Sequence, residues 1–150
     1  MKRLISHRGN LNGKNLKREN TPEYIYEALQ QEYDVEIDIR FIDGKFKLGH
    51  DSPDYDFPFD LIANHSKRLW LHCKNIDALI ALNSFPQNTY VNYFWHENDH
   101  VTLTSKGYIW AYPGKQPITG SIAVLPEIYD DNISSAFGIC SDFIANYKKH

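Results

Sequence analysis

Residues 33–51, YDVEIDIRFIDGKFKLGHD, decide how the rest of the chain is read. The side chains alternate with a period of two. Val35, Ile37 and Ile39 fall on one face and Glu36, Asp38 and Arg40 on the other, the signature of a strand. Asp43-Gly44 supplies the two left-handed positions of a type I′ turn, so Lys45 to Gly49 is expected to return antiparallel. The hairpin therefore carries two carboxylates on one face and delivers His50 and Asp51 near them. Two carboxylates on one strand face cannot both be buried and ionised without a cation nearby. Two readings follow: a hard-metal site with a histidine beside it, or an amphipathic strand whose polar face lies in water.

Upstream, Lys2 to Ser6 reads as a strand running into His7-Arg8-Gly9, and the polar residues 10–20 read as a loop. Thr21-Pro22-Glu23 opens a helix with a capping hydroxyl and a proline in the first turn; Ile25, Ala28 and Leu29 form its apolar face. Strand, loop, helix, strand is how an α/β protein with parallel strands begins. Downstream, Asp51 to Pro58 reads as a loop and Phe59 to Ala63 as one helical turn. Arg68 to Lys74 is a third strand that sets Trp70, His72 and Lys74 on one face. Asn75 caps a helix running through Leu82. Further strands are expected over Thr89 to Trp95, Val101 to Thr104, Tyr108 to Ala111, Ser121 to Leu125 and within Gly138 to Asn146. A short helix is expected over Asp131 to Ala136.

Composition narrows the class. With 150 residues, 42% of them hydrophobic and 23% charged, the chain is one ordinary globular domain long enough to bury a core. A net charge of −3 without a basic run argues against nucleic acid as a partner. Cys73 and Cys140 stand in no paired metal motif, which favours a reducing compartment. The opening residues MKRLISHRG hold no apolar run of signal-peptide length, and no stretch approaches a membrane span. A cytoplasmic protein is the expectation.

Four blocks in order, ISHRG, ENTPE, VEIDIR and LGHD, resemble the opening of the glycerophosphodiester phosphodiesterase family, within the phospholipase-C-like phosphodiesterases. The resemblance covers about the first third of the chain and becomes patchy beyond Asp51. It implies a TIM-type barrel with its site at the C-terminal ends of the strands. It also implies acid–base catalysis by His7 and His50, in roles the sequence does not divide between them. Arg8, Lys74 and Trp110 are the expected substrate and phosphate contacts. Glu36 and Asp38 are the expected ligands of a divalent cation, Mg, Ca or Mn. The implied substrate is a small phosphodiester with a hydroxyl beside the ester oxygen. A non-catalytic binder of phosphorylated ligands on the same fold is the alternative.

Two departures matter. A TIM barrel typically takes about 250 residues, so the chain is expected to form a compact or trimmed (β/α) barrel lacking several outer helices. An incomplete barrel closed in a homo-oligomer is the other arrangement this length allows. The second departure is His72, which falls where the family places a metal-binding glutamate. As a ligand it would shift preference toward Mn or Zn; as a phosphate contact it would leave the metal weak. Among other polar groups, Asp142 reads as a structural strand-end acid and Glu127 as a loop acid. The run His96 to His100 reads as solvated surface, and Glu19 and Asn20 as groups that order the first loop, with reach to the site as the alternative.

Overall fold

The computed structural model describes residues 1–57 and 59–148; Pro58, the last residue of the expected loop from Asp51, lies outside the described residues. The strands are β1 (Arg3–His7), β2 (Asp34–Ile42), β3 (Lys45–Leu48), β4 (Tyr55–Asp56), β5 (Leu69–Cys73), β6 (Asn92–Phe94), β7 (Val101–Leu103), β8 (Ile109–Ala111), β9 (Ile122–Val124) and β10 (Gly138–Ser141). The helices are α1 (Pro22–Gln30), α2 (Phe59–His65) and α3 (Ile76–Asn83).

Local signals in the first half act as their chemistry dictates. Thr21 caps α1, its side-chain oxygen accepting from the Tyr24 N–H at 3.2 Å, and Asn75 caps α3 by accepting from the Ala78 N–H at 3.0 Å. Asp43 and Gly44 both take positive φ, 51° and 77°, and close the β2–β3 hairpin. Seven strands run parallel in the order β6-β5-β2-β1-β10-β9-β8. Strands β3 and β4 extend antiparallel from β2, and β7 pairs antiparallel with β8.

The result is a curled, mixed, ten-stranded half-barrel with three short helices, which corrects the expectation of a trimmed TIM-type barrel. The physical reason lies in the second half of the chain. Residues 112–121, between β8 and β9, carry Pro113, Gly114, Pro117 and Gly120, which cannot sustain a crossover helix. The segment expected as a helix over Asp131 to Ala136 is a turn. There the Asn132 side-chain oxygen accepts from the Ser134 N–H at 3.1 Å, an alternative that short polar side chains offer the backbone. Beyond α3 the only helical segments among the described residues are short 3₁₀ turns. The strand expected over Thr89 to Trp95 shortens to β6, whereas the last strand ends at Ser141, where the sequence placed its end, in or near Ser141-Asp142.

The curl makes two cores. The outer one packs Ile25, Ala28 and Leu29 of α1 and Ala78 and Leu82 of α3 against Val35, Ile37, Ile39 and Leu71 of the sheet. Each fully buried aliphatic side chain there contributes about 2 kcal/mol of transfer free energy. The inner core holds Ile5, Trp70, Phe94, Trp110, Ile122, Val124 and Cys140. Rings from strands that are not neighbours meet in it: Phe94 and Trp110 have centroids 4.6 Å apart, and Trp70 and Trp110 5.7 Å. The polar face of β2 therefore does not lie in water. Glu36 and Asp38 are buried at 2% and 0% exposure, on the concave side above this aromatic floor.

Candidate active site

Register places the functional groups in two adjoining layers at the C-terminal ends of the parallel strands. His7 pairs across the ladder with Glu36, and Asp38 with His72, which in turn pairs with Phe94. Partners on neighbouring strands point to the same side of the sheet, so His7, Glu36, Asp38 and His72 converge on one mouth.

His7 is held from both ends. Its Nδ1 donates to Asp142 Oδ1 at 2.7 Å, and its Nε2 stands 3.6 Å from Glu36 Oε2. Burial lowers the ring's proton affinity, but the Glu36 charge and the Asp142 hydrogen bond outweigh it, and the pKa lies above the usual histidine value. Asp142 moves the other way: burial raises it, yet the bond from His7 leaves it below the ordinary carboxylate range. Asn10 Nδ2 donates to the same Asp142 oxygen at 2.8 Å and to Glu19 Oε1 at 3.0 Å.

Arg8 adopts φ = 59°, a left-handed conformation uncommon for a side chain of this size, and the chain turns there into the first loop. The turn carries its guanidinium back over the site. Nε stands 2.9 Å from Asp38 Oδ2, a charge contact without hydrogen-bond direction, and Nη1 donates to Glu19 Oε2 at 3.3 Å. Gly9 follows with φ = 95°, and a Cβ there would lie 2.6 Å from the Tyr24 ring. The Asn20 side chain grips Asp38 twice, donating to Oδ2 at 2.9 Å and accepting from the Asp38 N–H at 3.0 Å.

His72 sits against both carboxylates, Nδ1 lying 3.4 Å from Asp38 Oδ1 and 3.7 Å from Glu36 Oε1. Its Nε2 donates to the His96 carbonyl at 2.9 Å, and its ring stacks on Phe94 at 4.9 Å. Burial alone would lower its pKa, but the close carboxylates of Asp38 and Glu36 raise it to about 9. Asp38 responds reciprocally: burial pushes it up, while His72 and Arg8 hold it well below the usual carboxylate range.

Even so, Glu36 Oε1 and Oε2 and Asp38 Oδ1 are buried without a hydrogen-bond partner. One donor atom from each of Glu36, Asp38 and His72 lies within 4.8 Å of the others, the only such cluster among the described residues. Orphaned buried carboxylate oxygens in a two-carboxylate, one-histidine set fit a divalent cation.

The remaining expected residues lie apart from this network. His50 follows β3 on an exposed turn, where its Nδ1 bonds Asp51 Oδ1 at 2.7 Å. Two contacts anchor that turn to the rim: the Gly49 N–H donates to the Asp38 carbonyl at 3.1 Å, and Arg40 donates from Nη2 to the His50 carbonyl at 2.7 Å. Lys74 follows β5 and is half-buried, with no side-chain ion pair among the described residues. The Trp110 ring is 3% exposed within the inner core, where it supports Phe94 and through it the His72 ring.

Several participants carried no strong sequence signal. Asp142 stands next to Ser141, whose hydroxyl donates to Glu127 Oε1 at 2.9 Å, so the segments after β9 and β10 bring two acids close together. The run His96 to His100 contributes a backbone carbonyl, and the His96 ring donates to the Asp99 carbonyl at 2.7 Å. Among the described residues no helix is long and apolar enough to cross a membrane. Compared with protein-family models, curated proteins and solved structures, the chain matches none.

Proposed function

We propose that the protein is a metal-assisted phosphodiesterase acting on a small phosphodiester with a free hydroxyl beside the ester oxygen. A glycerophosphodiester or a phosphoglycerol-bearing compound is such a substrate. One observation carries the reading: buried, unpartnered oxygens of Glu36 and Asp38 adjoin a histidine whose far nitrogen is tied to a carboxylate. Glu36, Asp38 and His72 would hold the cation, which when bound supplies Lewis-acid neutralisation of the phosphoryl oxygens. Arg8 and Lys74 add positive charge for the same anion.

His7 and His50 exchange the protons, as the resemblance of the first third of the chain implies. One removes the proton of the neighbouring hydroxyl, whose oxygen then bonds to phosphorus. The phosphorus bond to the leaving oxygen breaks, and the other histidine protonates it, leaving a cyclic phosphate for hydrolysis. With Nδ1 engaged by Asp142, His7 works through Nε2.

A second reading, a non-catalytic binder of phosphorylated ligands, is favoured by the position of His72. Its Nδ1 already faces both carboxylates, and a protonated ring there takes the place of a metal. Screening phosphodiesters for alcohol release with and without added Mg²⁺, Ca²⁺, Mn²⁺ or Zn²⁺, beside calorimetric titration of each ion, separates the two. The phosphodiesterase reading expects metal-dependent turnover. It expects Glu36→Gln and Asp38→Asn to lose metal binding and turnover together, and His7→Ala to lose about 10²–10⁴-fold in turnover with metal binding kept. Phosphate binding without turnover or metal affinity would leave the binder.

A further inference from the structure

Two acids hold two different arms of the site, and they come from opposite ends of the chain. Asp142, after β10, accepts from His7 Nδ1 at 2.7 Å. Glu19, at the end of the first loop, accepts from Arg8 Nη1 at 3.3 Å. What lies between these acids is the side-chain amide of Asn10, at 0% exposure. Its Nδ2 donates to Glu19 Oε1 at 3.0 Å and to Asp142 Oδ1 at 2.8 Å. An amide nitrogen carries two hydrogens, so both are spent on the two carboxylates. Like charges brought this close inside a protein repel strongly, and the positive end of the amide dipole separates them.

The amide is fixed in this orientation. Asn10 Oδ1 accepts from the Asn15 N–H at 3.1 Å. Turned over, the side chain would set its NH2 against that N–H and its carbonyl oxygen against two carboxylates. The main chain of residue 10 is held as well. Its N–H donates to the His7 carbonyl at 3.0 Å, and its carbonyl accepts from the Ser6 hydroxyl at 2.9 Å. Residue 10 thus has partners on β1, in the first loop and after β10. Alanine there would take the amide donor from Glu19 Oε1 and one of two donors from Asp142 Oδ1. Aspartate, of the same shape, would place a third carboxylate between two others.

We infer that Asn10 is a positioning residue that couples the arginine and histidine arms of the site, so that a change at Glu19 is felt at His7. The contacts run without a break from Arg8 through Glu19, Asn10 and Asp142 to His7. The catalytic meaning of this coupling rests on the phosphodiesterase reading: it sets a proton-transfer group and an anion contact in one frame. The coupling itself requires no turnover.

The test reads the hydrogen-bonded Nδ1 proton of His7 in proton NMR spectra, assigned by its loss in His7→Gln. Glu19→Gln removes a charge at the far end of the contact chain and leaves an acceptor for Asn10. It is expected to shift the His7 signal in the wild-type background and to leave it unmoved in the Asn10→Ala background. A double-mutant cycle in urea gives the second measure. Glu19→Gln and Asp142→Asn combined should change the folding equilibrium constant by a factor about fivefold or more away from the product of their single effects. In the Asn10→Ala chain the two effects should simply multiply. Asn10→Ser, whose one hydroxyl hydrogen serves one acid only, repeats both comparisons if the alanine variant does not fold. A His7 signal indifferent to Glu19→Gln overturns the coupling. Coupling that persists in both Asn10 variants also overturns it, by showing that the two charges act through space and not through the amide. A coupled His7 signal in a protein that cleaves no phosphodiester would end the phosphodiesterase reading and uphold the coupling.

Discussion

Asn20→Ala tests the architecture of the site most directly. The Asn20 side chain is 3% exposed and makes two bonds to one residue, donating to Asp38 Oδ2 at 2.9 Å and accepting from the Asp38 N–H at 3.0 Å. Truncation removes a hydrogen bond to a charged acceptor, at about 2 kcal/mol, and strands a buried N–H, at about 1–3 kcal/mol. Residue 20 also sits at φ = 61°, which asparagine tolerates and alanine adopts at a cost of about 1 kcal/mol. The three losses share one loop that can relax, so they fall short of additivity, and we expect a net loss of about 4 kcal/mol. At this chain length that lowers the thermal midpoint by roughly 10 °C. Urea denaturation followed by circular dichroism measures it, with calorimetric metal titration showing whether a freed Asp38 binds more weakly. A loss below about 1 kcal/mol would refute the argument that this amide holds the carboxylate in place.

Two further outcomes are expected. Asp142→Asn removes the charge, and weakens the bond, that raise the His7 pKa, so the limb of the turnover profile that His7 sets should move to lower pH while Km changes little. An unmoved limb would detach Asp142 from His7. His72, with its pKa raised to about 9, must lose a proton to ligate a metal. Metal affinity should therefore rise about tenfold per pH unit from neutrality toward pH 9. A flat dependence in calorimetry would remove His72 from the ligand set.

The hairpin showed which side chains matter because strand alternation is a local property. Glu36, Asp38 and Trp70 took the faces that period two assigned them. What alternation could not show was the environment of those faces. The polar side of β2 is buried because the sheet curls over it, and curl depends on strands from the far end of the chain. For the same reason Asp142 read as an ordinary strand-end acid: its partner, His7, lies beside it only once β10 pairs with β1. Trp110 illustrates the converse. Its strand was legible, but whether its ring stood open or packed inside was decided by Phe94 and Trp70 across the curl. The barrel expectation failed where the second half of the chain placed proline, glycine and short polar side chains instead of helix-forming periodicity. That signal was present in residues 112–121 and 131–136.

The bond between His7 and Asp142 joins residues 135 positions apart. It lies beside the ladder that pairs the first strand with the tenth. Closing so long a loop is among the slower and more entropically demanding events in assembling a fold of this size. The hairpin carrying Glu36, Asp38 and His50 can form early, from neighbours. His7 has no acid partner until residue 142 has been synthesised and β10 has docked. A nascent or partly unfolded chain can thus display the Glu36 and Asp38 carboxylates while lacking an oriented His7. Under the proposed function an oriented His7 belongs to the finished molecule alone, so regained turnover would report completed refolding where regained secondary structure does not.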